Sequence, residues 1–416
     1  MLIKQAFRYE LRPNNEQRGL LVRHCGVARF AWNWALAHRI ELYRTREGKE
    51  RYTSAITQHR ELNALKKTEF PWMYEVSKCA PQEALRDLDQ AYANMFRRIK
   101  ENREARKRGE KAKKIGRPRF KKKGVHDSFT LTGSIKVGEK SIQLPRLGVI
   151  RTKERTSKFR GQILSATVSR EADRWYCSLG VSYSRPDPQP VIGEIVGIDL
   201  GLNSFVVIYD GHEFDKKDAP KPLKNRLKRL QRLSKQQSRK QKKSQNRKNA
   251  NLALARCHRR VKNVRKDFLN KLTTELAKTK PVICIEDLAV KNMVRNRRLA
   301  RSIADVGWGD FRRQLEYKTL WHGSRLVVIP RFEPSSKTCH ACGTINDALE
   351  LSDRKWICQS CGAFHDRDEN AAVNIRNCGI RLLSTGSSSG IEACGVDVRP
   401  RYVGATYEEA GRKRVQ

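Results

Sequence analysis

Proline stands at every second position of Arg185-Pro186-Asp187-Pro188-Gln189-Pro190. Proline has no N–H to offer a ladder, fixes its own φ, and biases the residue before it toward extended backbone. Such a stretch enters neither a helix nor the interior of a sheet. It predicts a stiff linker over 186–190 that divides the chain into two halves. A length of 416 residues is enough for two to four domains at about 150 residues each.

Before the linker the hydrophobic period changes once. Phe7–Leu11 alternates like a strand and Pro13 ends it. Asn14 or Asn15 can cap a helix through Tyr43, with Leu21, Cys25, Ala28, Trp32 and Leu36 on one stripe. A second helix is predicted from about Gln82 to Lys100, with Leu85, Leu88, Tyr92, Met95 and Phe96 on one face. Residues 14 to about 110 therefore read as a helical bundle. The period then becomes two over Ser128–Thr132, Ser141–Leu144, Gly148–Arg151, Ile163–Ser169 and Trp175–Tyr183. These predict a small β-barrel or sheet, closed by the N-terminal strand. After the linker, the strands Ile195–Leu200, Phe205–Tyr209, Val282–Ile285 and Arg325–Ile329 mix with helices near Gly309–Trp321 and from Asp368 onward. That alternation is an α/β pattern. The end, from Leu382-Leu383-Ser384-Thr385-Gly386 onward, is small and polar and is expected to be a flexible tail.

The charge narrows the partner. Lys and Arg number 87 against 44 Asp and Glu, a formal net charge of +43. Self-repulsion at this level opposes compactness unless a polyanion shares the fold. A neutral small-molecule enzyme is disfavoured; nucleic acid is the first reading and an anionic membrane surface the second. Arg97–Lys123 carries +12 and Lys216–Lys266 carries +20, together +32 of the total. A single basic run is commonly a solvated face, but these two lie inside patterned chain. In the second run Leu223, Leu227, Leu230 and Leu233, then Cys257, Val261, Val264, Phe268, Leu272 and Leu276, recur at helical spacing. The spacing predicts a basic helical hairpin over 216–278, turning near Ser244–Asn251. The groups expected to meet nucleic acid are Arg117, Arg119, Phe120, Lys121, Lys122 and Lys123 after the first run. On the hairpin they are Arg226, Arg229, Arg232, Arg239, Lys243, Arg259 and Arg260.

Three acids stand out against this background. Asp199 ends the apolar strand Val196-Gly197-Ile198-Asp199, Glu286 ends Val282-Ile283-Cys284-Ile285-Glu286, and Asp368 opens a helix. A lone buried carboxylate costs several kcal/mol unless it is paired or bound to a cation. Taken singly, each is commonly a turn or cap residue. Together, two strand ends and a helix start can converge at one end of a sheet. Hard oxygen ligands suit Mg²⁺ or Mn²⁺, and two such ions ~4 Å apart support phosphodiester cleavage. Asp287 next to Glu286 must point the other way if the strand continues.

Cys339-x2-Cys342 and Cys358-x2-Cys361 have the two-knuckle spacing of a structural four-thiolate Zn²⁺ site. His340 and His365 lie close enough to substitute as ligands. The other seven cysteines are scattered, odd in number, and expected to be reduced. No run approaches the ~18–20 apolar residues of a membrane span, and Met1-Leu2-Ile3-Lys4 lacks a signal-peptide core. A cytosolic or nucleoid location is therefore expected, with no membrane partner and no small-molecule substrate.

Taken in order, Gly-Ile-Asp-Leu-Gly at 197–201, Ile-Glu-Asp-Leu at 285–288, the four cysteines, and His365-Asp366-Arg367-Asp368-Glu369-Asn370-Ala371-Ala372-Val373-Asn374-Ile375 resemble TnpB proteins, the transposon-encoded relatives of type V CRISPR effectors. Ala28-Arg29-Phe30 with Trp32-Asn33, Gly116-Arg117-Pro118-Arg119-Phe120 and Asp305-Val306-Gly307-Trp308-Gly309 look like further landmarks. The resemblance spans residues 1 to about 378. It implies a multi-domain α+β chain: a helical recognition part and a β-barrel wedge, then an RNase H-like (RuvC) α/β nuclease domain with helical-hairpin and zinc-ribbon insertions. On this division 1–13 is the first wedge strand, 14–123 the recognition part and 124–185 the rest of the wedge. The nuclease occupies 191–334 and 365–380, split by a zinc ribbon at 335–364, and 381–416 is the tail. The resemblance implies that Asp199, Glu286 and Asp368, rather than Asp366, are the catalytic acids and Mg²⁺ ligands. It implies a guide RNA from the transposon end and cleavage of double-stranded DNA beside a short adjacent motif. The region Asn33–Arg51 and the wedge are expected to read that motif. A transposase acting on its element's ends, a non-catalytic RNA-guided DNA binder and a plain RNA-binding protein are the alternatives.

Overall fold

The computed structural model describes residues 1–385 except 158, 203, 296–299, 301–302, 304–305 and 351. Two compact units meet in sequence at Arg185/Pro186, inside the proline-rich stretch.

The first unit opens with strand β1 (Leu2–Arg12) and helix α1 (Asn15–Thr45). Asn14 is the cap: its side chain accepts from the Gln17 N–H and the Gln17 side chain accepts from the Asn14 N–H, a reciprocal capping box. Leu21, Cys25, Ala28, Trp32 and Leu36 are all buried, the stripe read from the sequence. Helix α2 (Ala55–Thr68), which the periodicity does not reveal, precedes α3 (Cys79–Lys107). On α3 the predicted face divides: Leu85 and Leu88 are fully buried, whereas Phe96 is exposed and stacks on Tyr92.

Six further strands follow: β2 (Ser128–Leu131), β3 (Lys136–Gly138), β4 (Ser141–Leu144), β5 (Gly148–Thr152), β6 (Gln162–Glu171) and β7 (Arg174–Ser184). The sheet order is β2-β6-β7-β1-β5-β4-β3. β1 runs antiparallel along β7 from Leu2↔Ser184 to Leu11↔Trp175, so the N-terminal strand sits in the middle of the sheet. β2 and β3 are the two ends of this order. Helices and sheet bury one continuous core, in which Leu21, Leu36 and Leu88 join Phe129, Ile150 and Leu179. The bundle and the sheet therefore do not have separate cores, as a division at residue 123 would require.

In the second unit, strands β8 (Val196–Asp199), β9 (Val206–Tyr209) and β10 (Phe214–Lys217) precede helices α4 (Lys221–Ser238) and α5 (Gln245–Thr279). Strand β11 (Val282–Glu286), a short helix α6 (Val290–Met293), helix α7 (Trp308–His322) and strand β12 (Arg325–Ile329) come next. A small ribbon of β13 (Lys355–Ile357) and β14 (Phe364–Asp366) leads into helix α8 (Arg367–Ser384). The sheet order is β10-β9-β8-β11-β12. β9 is antiparallel to both neighbours, and β8, β11 and β12 are mutually parallel. Three meandering strands extended by two parallel ones give the RNase H-like topology.

Both faces of this sheet are covered, as parallel strands require. Ile283 and Ile285 pack with Leu269, Leu272 and Leu276 of α5 and with Phe311 and Leu315 of α7. Cys284, between them, points to the other face and packs with Ile375 and Cys378 of α8.

Three boundaries differ from the sequence reading. Lys216 and Lys217 belong to edge strand β10, not to the hairpin. The charges that make this strand look helical are those an edge strand carries against unwanted pairing. The hairpin turns earlier than expected, because Ser244 caps α5 and residues 245–251 are already helical. Residues 381–384, expected in the tail, complete α8, with Leu382 and Leu383 packed against the core. From residue 386 onward the tail, Cys394 included, lies outside the described residues, as does Asp305. Among the described residues no cysteine is disulfide-bonded. Among the described residues no helix is long and apolar enough to cross a membrane.

Candidate active site

The parallel register sets Ile198 opposite Ile285, so the next residues, Asp199 and Glu286, end adjacent strands side by side. Helix α8 crosses β8, β9, β11 and β12. It lies so close that a Cβ on Gly197 would meet the Ala372 carbonyl oxygen at 2.1 Å. That approach brings the first turn of α8, with Asp368, to the same end of the sheet. A Cβ on Gly201 would stand 3.8 Å from Asp368 Oδ2. This is the carboxyl end of the parallel strands, where open α/β sheets place their ligand sites.

All three acids are half-buried, so the cluster is reachable from solvent. Asp199 is packed closely, and among the described residues it has no ion-pair partner. Burial, then the neighbouring charges of Glu286 and Asp368, push its carboxyl up to about 8, against the Leu200 N–H and Arg367. Burial also raises Glu286, opposed by the Ser335 hydroxyl, which donates to its carboxylate. Asp368 lies 3.5 Å from Arg354 Nη1. Asp366 serves the backbone instead, because its side chain accepts from the Asp368 and Glu369 N–H groups and caps α8. Asp287 points away from the cluster, as strand alternation requires, onto Arg312 and Arg331. Those guanidiniums hold it below its ordinary value even though partial burial acts the other way.

The carboxylates are hard oxygen donors forced together with few partners, which is the donor set Mg²⁺ or Mn²⁺ takes. They are not drawn as tightly as the cysteines, whose ligand atoms all lie within 4.8 Å of one another. Ser335 and Arg354 hold Glu286 and Asp368 to themselves.

Cys339, Cys342, Cys358 and Cys361 form one cluster, with sulfur separations of 3.7 Å for Cys339–Cys361 and 3.5 Å for Cys342–Cys358. Four thiolates at ~2.3 Å around a tetrahedral centre stand about 3.8 Å apart, so the set fits zinc. His340 and His365 are not part of that cluster. His365 is buried, with Nε2 3.1 Å from Cys339 Sγ, and contacts the His340 and Trp356 rings.

The basic groups separate into two kinds. Arg229, Arg232, Arg239, Lys243 and Arg260 are exposed on the hairpin, but Arg226 is half-buried and Arg259 is buried, 7% exposed. Arg259 lies about half a turn from both Cys257 and Val261, which are buried too, so α5 is covered on two sides at this point. The expected place of Arg259 on the open surface is corrected. In the other run Arg117, Arg119, Phe120, Lys121, Lys122 and Lys123 are all exposed. Lys121 is not free: its ammonium lies 4.0 Å over the Trp32 ring. Its backbone N–H and carbonyl are both held by Asn33, while Trp32 Nε1 donates to the Arg119 carbonyl. Two landmarks far apart in sequence are thus one contact. Nothing in the sequence singles out Ser335, Arg312, Arg331 or Arg354; a serine or arginine in a loop carries no periodicity that would mark it.

Comparison with known proteins bears on the family of the chain. A family model described as "Probable transposase" (OrfB of IS605) matches residues 178–297. "Cas12f1-like, TNB domain" matches 308–375 and "Helix-turn-helix domain" matches 1–49. In this chain 1–49 is a strand and one long helix. A Streptomyces pristinaespiralis protein named "Putative RNA-guided DNA endonuclease" is 37% identical over 96% of this chain and 93% of its own length. A Mycobacterium tuberculosis protein of the same description is 35% identical over 89% of this chain and 85% of its own. The Escherichia coli protein "Putative RNA-guided DNA endonuclease InsQ" is 33% identical over 92% and 94%. At that identity over nearly the whole length, the chain belongs to the TnpB (IS605 OrfB) family.

Proposed function

We propose that this chain is an RNA-guided, metal-dependent DNA endonuclease. The observation that carries the reading is the convergence of Asp199, Glu286 and Asp368 at the carboxyl end of an RNase H-like sheet in a chain of net charge +43. The names of the full-length relatives support it.

Asp199, Glu286 and Asp368 are the residues that would hold Mg²⁺ or Mn²⁺, which when bound supplies charge stabilisation and an activated water for phosphodiester hydrolysis. Ser335 orients Glu286 through its hydroxyl. Asp366 fixes the first turn of α8 and so the place of Asp368. The exposed cations of α4, α5 and the 117–123 loop grip phosphates, while base pairing to a guide RNA reads the target sequence. The guide comes from the transposon end and the target is double-stranded DNA. The four-cysteine cluster holds structural zinc and leaves no open position for catalysis.

The test is Asp199→Ala in the full chain with its copurifying RNA. Cleavage of matching DNA in Mg²⁺ should vanish while RNA and DNA binding stay within about twofold. A variant that cuts at the parent rate removes the acids from the mechanism.

A further inference from the structure

Beyond β12 the chain makes a tight turn, Pro330-Arg331-Phe332-Glu333-Pro334-Ser335, at the same end of the sheet as the acids. It is attached on several sides. Arg331 pairs with the Asp287 carboxylate, and its Nε donates to the Asp287 carbonyl at 3.2 Å. Glu333 pairs with Arg381 at 2.9 Å. The Ser335 hydroxyl reaches Glu286, and its carbonyl accepts from Asn370 at 3.3 Å and Asn374 at 2.8 Å. Within the turn, Glu333 N–H donates to the Pro330 carbonyl and Ser335 N–H to that of Glu333. At the centre of this fixed frame Phe332 is 91% exposed.

A large apolar ring held in water is a standing cost, because burying it would be favourable. A loose loop could fold the ring back; this turn cannot, since both neighbours are tied down. Arg331, the residue before the ring, lines a cavity of about 370 Å³ together with Leu200, Glu286, Trp308 and Arg312. Apolar walls, two guanidiniums and one of the acids share that space. The indole N–H of Trp308, a residue only 4% exposed, has no acceptor among the described residues. Aromatic planes beside guanidiniums are how proteins take up unpaired bases of a single strand, because every base has a π-face.

We propose that Phe332 is a stacking post for an unpaired nucleobase of the strand being cut, presented by the pinned turn 330–335 beside the acids. The inference rests on the nuclease reading above, in which a single strand must reach Asp199, Glu286 and Asp368. Arg331 and Arg312, ion-paired to Asp287 and Glu316, form part of the wall of the same cavity. The post acts on substrate hold, and the guide RNA is gripped elsewhere.

The experiment uses the full chain with its copurifying RNA and a DNA strand complementary to the guide portion of that RNA and extended beyond it by unpaired flanks. Phe332→Ala and Phe332→Leu are compared with Phe332→Trp. Loss of one base stack is read as about a 5- to 150-fold rise in the KM for DNA. That rise is expected for Ala and Leu, whereas Trp stays within about twofold of the parent. Zinc content and RNA retention stay unchanged in all three. An abasic site walked along the DNA should reproduce the loss at one position in the parent and add nothing there in Phe332→Ala. 2-Aminopurine at that position should be quenched on binding in Mg²⁺-free buffer containing Ca²⁺ and no chelator by the parent and not by Phe332→Ala. Parent-like KM and quenching in Phe332→Ala overturn the proposal. So does full activity in Phe332→Leu, which would mean apolar contact, as with a protein partner, and not stacking. If the parent cuts nothing, the nuclease reading falls, and the quenching measurement still decides the stacking.

Discussion

Removing zinc from the cysteine cluster should abolish DNA cleavage although no acid is touched. The ribbon from Thr338 to Asp366 has a very small core: Cys339, Leu349, Trp356 and Cys358, with Ala363 against them. Two sizeable apolar side chains, Leu349 and Trp356, contribute roughly 1.5–3 kcal/mol each. A structural zinc supplies about 10–16 kcal/mol, so the metal is the larger stabilising term and the ribbon has no folded form without it. The ribbon is also sewn to the first turn of α8. Arg367 N–H donates to the Arg354 carbonyl at 2.8 Å, its guanidinium reaches the Glu350 carbonyl, and the His340 N–H donates to Asn370 at 3.0 Å. Melting the ribbon therefore releases the turn that carries Asp368. A displacement near 1 Å at a reacting centre costs about 100-fold in rate. Cys342→Ser with Cys361→Ser is the sharper perturbation, because both residues are exposed and no packing is lost. Zinc by elemental analysis should fall from one per chain to none, proteolysis should open between 338 and 366, and cleavage should drop at least about 100-fold. Zinc-free protein that cuts within threefold of the parent would refute the coupling.

Further expectations concern groups whose environments are equally specific. Asp199 is raised to about 8, so below that pH a proton occupies the carboxyl and must leave before a cation binds; Mg²⁺ affinity should rise about tenfold per pH unit from 6 to 8 and then level, by titration against thermal shift. A flat affinity over that range would mean Asp199 is not a ligand. Lys318 on α7, 6% exposed, donates to Thr273 Oγ1 at 2.7 Å, Thr274 Oγ1 at 2.9 Å and Gln314 Oε1 at 3.1 Å; Lys318→Ala leaves those neutral acceptors without their donor and should cost about 1–3 kcal/mol in denaturant unfolding. Asn33→Ala unties the 117–123 loop and should weaken RNA binding measurably while leaving zinc content unchanged; unaltered affinity would mean the loop is not a contact. RNA affinity should fall steeply with salt, with a smaller slope when Arg229, Arg232 and Arg260 are replaced by Gln and the same slope when Arg259 is.

Much of this architecture is legible because the signals are local. Proline spacing marks the break between units, the capping box at Asn14 starts α1, and apolar runs ending in Asp199 and Glu286 mark central parallel strands. What escapes is set by tertiary context. Phe214-Asp215-Lys216-Lys217 is a strand only because β9 offers it a ladder. Helix α2 has only Ala55, Gln58, Leu62 and Lys66 buried, too mixed a stripe to register. Arg259 looks identical in sequence to Arg260, yet a one-residue step of about 100° around α5 separates a covered side of the helix from the open surface. Ser335 finds Glu286 across 49 positions, a separation that no pattern within one element reports.

The sheet order also explains why the charge and the acids, distant in sequence, belong to one device. β10 runs parallel to β8, and its last residue, Lys217, pairs with Val206 one row from Asp199. The hairpin thus leaves the sheet at the acid end, and Lys216 at its root bonds Glu369 at 2.8 Å beside Asp368. β12 ends at that same edge, so the zinc ribbon both starts there and returns there through Asp366. Neither insertion could be moved to the other end of the strands without breaking the parallel register that pairs Asp199 with Glu286. The +20 run between Lys216 and Lys266 is therefore rooted beside the carboxylates that would repel a phosphate unaided. On the proposed function, a nucleic-acid backbone held along the exposed arginines of α4 and α5 would be led toward that root, and the concentration of charge becomes a consequence of where this topology allows a loop to grow.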